Sequence, residues 1–167
     1  IEQLKRTAKT LSWDVDDMEK KGHIKFLKYD TYQLEDIIEV IENSIREIDA
    51  KRIVIDSVSS IGIYVKDLTE LRRMILQMSH MLRKNGCTSI LISEVSDGNR
   101  FSRFGVEEFV TDGVVVLDNL LVSGEYRRGI NIWKMRSTDH SKKIHPYKIT
   151  NKGFIVYPND TLTTKKR

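Results

Sequence analysis

The sequence predicts an α/β fold: a mostly parallel sheet flanked by helices, with antiparallel β-hairpins toward the C-terminal end. Three observations carry this. Segments with apolar residues spaced about 3.6 apart alternate with short apolar runs over the first half of the chain. Two of those runs end in polar residues, as strands do where a sheet meets its ligand crevice. Beyond residue 113 the texture turns β-rich, with strand pairs flanking glycine-containing turns.

Taken in order, Leu4, Ala8 and Leu11 place an apolar stripe on a first helix ending near Trp13. Asp14 is suited to cap a short second helix through Lys20, and Gly22 to end it. Ile24, Phe26 and, out of phase, Leu27 suggest a strand. Residues 33–49 form the clearest helix: Leu34, Ile37, Ile38, Ile41, Ile45 and Ile48 share one face, with Glu35, Glu39, Glu42 and Arg46 opposite. Residues 52–57 read as a buried strand. A long helix over 68–84 turns Leu71, Ile75, Met78 and Leu82 inward, and Asn85-Gly86 stops it before a second buried strand at 88–93. The 53–56 strand is expected to be central and adjacent to 88–93. After a polar and aromatic loop at 94–108, strands at 114–122 and 126–135 flank Ser123-Gly124-Glu125. Strands at 145–150 and 154–157 flank Asn151-Lys152-Gly153. These hairpins are expected to extend the first sheet. The reading takes 1–158 as one domain and 159–167 as a disordered basic tail.

The chain has 167 residues, 40% apolar and 31% charged, with 28 Lys and Arg against 24 Asp and Glu for a net charge of +4. That size suits one core, and the mild basic excess does not by itself point to an anionic partner. No apolar run approaches the roughly 18–20 residues that span a bilayer, and the start lacks the pattern of a secretory signal. The one cysteine, Cys87, cannot form an intrachain disulfide. This favours a reducing, cytoplasmic setting, and its place before Ile90-Leu91-Ile92 suits a structural thiol rather than a nucleophile. Ile1 is not an initiator residue, so the chain is expected to be part of a longer protein.

Three constellations carry chemistry. In Arg52-Ile53-Val54-Ile55-Asp56-Ser57, an apolar strand delivers Asp56 to a sheet edge, where a carboxylate can join a Mg²⁺ shell over phosphates; any buried parallel strand ending in Asp also fits this pattern. Ile90-Leu91-Ile92-Ser93-Glu94 would bring a second polar tip to the same crevice. In Lys134-Met135-Arg136-Ser137-Thr138-Asp139-His140-Ser141, two cations at i and i+2 share one side of a strand end and can reach phosphate oxygens together. The bland alternative is a solvated strand end.

The segment from Arg103-Phe104-Gly105 through Thr111-Asp112-Gly113 resembles the stretch after the last parallel strand of KaiC-like proteins. The segment from Lys134 to Ser141 resembles their lysine-hydrophobic-arginine motif. The run from Ile144 to Gly153 is similar to their closing hairpin, and that from Ile53 to Ser57 to their Walker B strand. Leu4-Lys5 through Trp13-Asp14 resembles the helix after their catalytic carboxylates. These motifs occur in order across essentially the whole chain.

The resemblance implies a RecA-like P-loop NTPase core that binds ATP and Mg²⁺ between the subunits of a ring, usually a hexamer. It implies that Asp56 assists Mg²⁺ in one site, while Lys134 and Arg136 reach the γ-phosphate of the neighbouring subunit's nucleotide. Thr138 and His140 match positions touching that nucleotide, and Thr150 and Asn151 positions near its base or ribose. The family commonly has Asp where Asn151 stands. Thr10 matches a position near adenine in the chain's own site.

The sequence also departs from the family. It contains no Gly-x-x-x-x-Gly-Lys-Ser/Thr and no Gly-Lys dipeptide, so the phosphate cradle and its lysine are not in it. The water-poising glutamates are expected before Ile1, and Glu107-Glu108 matches a different family segment. The chain by itself is expected not to hydrolyse ATP, and the longer protein to do so as a nucleotide-driven switch. A second reading makes it a recombinase paralogue, similar to RadA, that grips single-stranded DNA through Arg100, Phe101, Arg103 and Phe104 of the 94–108 loop. A third makes it a non-hydrolysing scaffold.

Overall fold

The computed structural model describes residues 1–29, 36–65, 67–95 and 101–163. Two compact units emerge, one of residues 1–9 and 13–110, the other of residues 10–12 and those from 111 onward. Each is described in turn.

The first unit opens with α1 (Glu2–Thr10) and α2 (Val15–Lys20). Asp14 caps α2 as expected, its side chain accepting from the Asp17 amide at 3.0 Å. Lys5 and Lys9 of α1 hold Asp16 of α2 at 3.1 and 2.8 Å, and Lys5 also pairs with Glu19. Residues 24–29 join no β-ladder, contrary to expectation. Phe26 instead lies under the Lys5 ammonium, 5.5 Å from the ring centre. α3 (Ile37–Glu47) buries Ile37, Ile41 and Ile45; the expected first turn of this helix, 33–35, lies outside the described residues.

β1 (Arg52–Asp56) leads through α4 (Val58–Gly62) and α5 (Leu68–Lys84) to β2 (Thr88–Ile92). The bounds of α5 match the sequence expectation. Asp67 caps it by accepting from the Thr69 amide, and its inward face buries Leu71, Ile75, Met78 and Leu82. Ile37, Ile41 and Ile45 of α3 pack with Met78, Met81 and Leu82 of α5, and Ile53, Ile55 and Leu91 lie against them. The thiol of Cys87 donates to the Ala50 carbonyl at 3.3 Å, a structural contact.

β1 and β2 pair in parallel, with Asp56 opposite Ile92. Two expectations change here. Among the described residues β1 pairs only with β2, so it is not central. Nor are the strands buried on both faces: their exposure alternates, and Val54 at 60% and Ile90 at 58% stand open. Among the described residues, helices cover the face that carries Ile53, Ile55 and Leu91.

After α6 (Glu107–Val110), the second unit holds β3 (Gly113–Val122), β4 (Glu125–Met135), β5 (His145–Thr150) and β6 (Gly153–Val156). They form an antiparallel sheet in the order β3-β4-β5-β6, which among the described residues does not extend the parallel pair. Hairpin strands satisfy one another locally and need no third strand to define their register. The β3–β4 turn is Ser123-Gly124, both with positive φ (53° and 87°), the two-residue geometry that matches strand twist. In the stretch after 158, the Leu162 amide donates to the Ile144 carbonyl at 2.8 Å; residues 164–167 lie outside the described residues. No helix among the described residues is long and apolar enough to cross a membrane.

Candidate functional site

In the first unit, the parallel register brings the C-terminal ends of β1 and β2 side by side, as their apolar runs with polar ends predict. Asp56 is exposed at the end of β1, and none of the hydrogen bonds or ion pairs among the described residues engages its carboxylate. The Asp56–Ser57 peptide is cis. Ser57 caps α4, accepting from the Ser60 amide at 3.2 Å, so the chain turns away and leaves Asp56 at the edge.

Around these tips lies a polar cluster of which sequence reasoning singled out only the Ser93-Glu94 tip. Ser59 and Ser102 are 1% and 2% exposed, and Glu107 is 5% exposed. The Ser93 hydroxyl donates to Glu107 Oε1 at 2.8 Å. Glu107 Oε2 accepts from the Val106 amide at 3.1 Å. The Glu94 amide donates to Ser59 Oγ at 2.8 Å, and the Arg103 amide to Ser93 Oγ at 3.2 Å. Ser102 donates to Glu108 and accepts from the Gly105 amide. Residue types could not reveal this, because serines after a strand read equally well as solvated turn residues. Glu94 and Arg103 pair at 3.3 Å near the surface.

Phe104, one of the loop residues considered for base stacking, packs against the cluster of Val58, Leu71, Ile75, Val106 and Val110. Arg103 lies 5.9 Å from its ring centre. Arg100 lies outside the described residues.

In the second unit, Lys134 and Arg136 both contact the Thr111-Asp112 segment. Lys134 Nζ donates to the Thr111 carbonyl at 2.6 Å. Arg136 donates to Asp112 Oδ1 at 3.1 Å, and its amide to the Asp112 carbonyl at 2.8 Å. Both cations thus turn toward one short segment, while the Met135 sulfur lies against Gly113. A register shift precedes them: Val114 faces Lys134, but Val115 faces Ile132, leaving Trp133 as the extra residue. Such a bulge twists a strand and re-aims the side chains beyond it, and nothing in the residue pattern signals it.

The turn that follows is compact. Ser137 has φ 57° and Thr138 is exposed. His140 Nδ1 lies 3.1 Å from the Ser141 carbonyl and Nε2 3.1 Å from Lys142 Nζ. A carbonyl can only accept and an ammonium only donate, so these partners assign the Nδ1–H tautomer. His145 is held the same way, by the Asp160 carbonyl at Nδ1 and Ser141 at Nε2. Thr150 is committed to its own hairpin turn, accepting from the Lys152 amide at 3.1 Å and donating to the Gly153 carbonyl at 3.2 Å. Asn151 is exposed at that turn, and Thr10 is exposed at the end of α1.

Residues 1–161 match the family model described as "ATPase: KaiC". A UPF0273 protein of Pyrococcus horikoshii is 38% identical over 182 residues, spanning 98% of this chain and 72% of that protein. The circadian clock oscillator protein KaiC of Parathermosynechococcus lividus is 32% identical over 173 residues, 97% of this chain and 32% of that protein. Among solved structures, a KaiC-like protein from the hyperthermophilic Pyrococcus horikoshii OT3 matches with a TM-score of 0.85 at 34% identity, covering 95% of this chain and 71% of that one. By a family match along nearly its whole length, and by the parallel strand pair and antiparallel hairpin sheet built here, the chain belongs to the KaiC-like family of RecA-superfamily ATPases.

Proposed function

We propose that this chain is the nucleotide-handling part of an oligomeric ATPase that works as a nucleotide-driven switch, with ATP and Mg²⁺ bound between subunits. The observation that carries the reading is Asp56: an exposed carboxylate, without a partner among the described residues, at the C-terminal end of a parallel strand. Its chemistry fits the metal. Mg²⁺ in phosphate sites takes one or two carboxylates and completes its shell with water and phosphate oxygens. When bound, the ion neutralises charge that develops on the phosphates.

The other residues act from the neighbouring subunit. Lys134 offers a point charge and Arg136 a planar fork, suited to the γ-phosphate. Both sit beyond a bulge, Lys134 donating to the Thr111 carbonyl and Arg136 pairing with the exposed Asp112 carboxylate. Thr138 and His140 are assigned to the neighbouring subunit's nucleotide, and Asn151, with Thr150, to its base or ribose. Thr150 supports the same hairpin through its turn, and Thr10 is assigned to the adenine side of the chain's own site. A six-membered ring is the assembly this reading expects. The single-strand alternative has less support, since Phe104 is committed to a hydrophobic cluster.

Subunit mixing tests the reading in the full-length protein. Asp56→Ala and Arg136→Ala should each be nearly inactive, because an arginine supplied across an interface is worth about 10³–10⁵ in phosphoryl-transfer rate. Mixed, they should recover part of the activity, since some interfaces then pair an intact Asp56 with an intact Arg136. Confirmed subunit exchange without recovered turnover refutes action in trans.

A further inference from the structure

The buried Glu107 has no part in the chemistry just outlined, yet it anchors the polar cluster at the strand tips. A carboxylate at 5% exposure is costly unless its oxygens accept hydrogen bonds. Glu107 meets that requirement with the Ser93 hydroxyl at 2.8 Å and the Val106 amide at 3.1 Å. Ser93 directly follows Ile92, the residue opposite Asp56 in the parallel ladder. Ser59 lies three positions beyond Asp56, and its Oγ is 3.5 Å from Ser93 Oγ.

Proton counting gives the cluster a direction. A serine hydroxyl has one proton, and that of Ser93 is given to Glu107. In the Ser59–Ser93 contact Ser59 is therefore the donor. Ser93 Oγ accepts from Ser59 and from the Arg103 amide, and Ser59 Oγ accepts from the Glu94 amide at 2.8 Å. One carboxylate thus orients hydroxyls on both chains leaving the sheet, the exit of β1 at Ser59 and the exit of β2 at Ser93.

We propose that Glu107 is a positioning residue of the nucleotide site, fixing through Ser93 and Ser59 where the β1 and β2 tips, and hence Asp56, stand. The proposal rests on the nucleotide reading above. It predicts a particular weakness toward an isosteric change. In Glu107→Gln, one amide orientation turns an N–H₂ toward the Val106 amide. The other turns it toward Ser93, whose oxygen already receives two donors. Either way a donor loses its acceptor.

The experiment uses the full-length protein with Glu107→Gln, Ser93→Ala, the double variant and Asp56→Ala as reference. Steady-state ATP hydrolysis should show kcat lowered about 10- to 100-fold by each single change, as when a group orienting a metal-binding residue is lost, with KM within about twofold. The double variant should fall no further than the worse single, because both break one chain of bonds. Amide hydrogen exchange supplies the second readout. In Glu107→Gln the Glu94, Arg103 and Val106 amides should exchange about tenfold faster or more, with the β1–β2 ladder unchanged. Unchanged exchange at these amides overturns the proposal. Faster exchange with unchanged kcat also overturns it, reducing Glu107 to a structural role. If the unsubstituted protein shows no Asp56-dependent hydrolysis, the nucleotide reading fails and the rate half of the proposal with it. The exchange data then still decide whether Glu107 holds the tips.

Discussion

Gly62 in α4 makes the sharpest packing test in the molecule. A Cβ built on it would stand 2.2 Å from Phe104 Cε2 and 2.4 Å from Cζ. Carbon atoms pack at about 3.5–4.0 Å, so in Gly62→Ala the ring must withdraw by more than about 1 Å. The ring is not free to do so cheaply, because it packs against the Val58, Leu71, Ile75, Val106 and Val110 cluster. Overpacking of this kind costs about 1–3 kcal/mol. Against it stands the gain from replacing glycine by alanine in a helix, at most about 1 kcal/mol. The net expectation is a destabilisation of about 1 kcal/mol, read as a urea midpoint lower by roughly 0.5 M at unchanged m. Repeating the change in a Phe104→Ala background separates the two effects. There the clash is gone, and Gly62→Ala should stabilise by up to about 1 kcal/mol, giving a coupling of roughly 1–3 kcal/mol. If Gly62→Ala stabilises equally in both backgrounds, Phe104 does not occupy this position and the packed-loop description is wrong.

Acid should loosen the α1–α2 pair in a defined window. Hydrogen bonds from Lys9 and then Lys5 hold the Asp16 carboxyl below its ordinary range. Its folded value lies under the unfolded value of about 3.9, so the pairing contributes above that pH and is lost as pH falls through the lower folded value. Asp16→Asn should therefore lower the thermal midpoint at neutral pH and shrink the further loss below about pH 4; an acid limb unchanged by the substitution would refute the linkage. The Arg136–Asp112 pair, with side chains 51% and 63% exposed, should matter little to folding. Asp112→Asn is expected to shift stability by less than about 1 kcal/mol by urea unfolding, and a larger loss would mean that Arg136 is a structural residue.

What the sequence determined by itself is what neighbours along the chain decide. The apolar stripe of α5, its stop at Asn85-Gly86, the Asp14 cap and the Ser123-Gly124 turn all follow from side-chain period and local backbone chemistry. So does the delivery of Asp56 to a strand end, because four residues of alternating side-chain direction cannot place it elsewhere. The placing of Lys134 and Arg136 two residues apart around the end of one strand was legible for the same reason. Tertiary structure alone decided the rest. Ile24, Phe26 and Leu27 have the residue types of a strand, but a strand requires a partner ladder, and Phe26 found a lysine of α1 instead. The expectation that the hairpins would extend the first sheet failed because pairing between distant strands leaves no trace in local periodicity. The bulge at Trp133 is a mismatch of counts between two strands, visible only once they are aligned. The Ser59–Ser93–Glu107 chain joins three elements far apart in sequence, and its members become a site only where folding removes the water that would otherwise satisfy each of them.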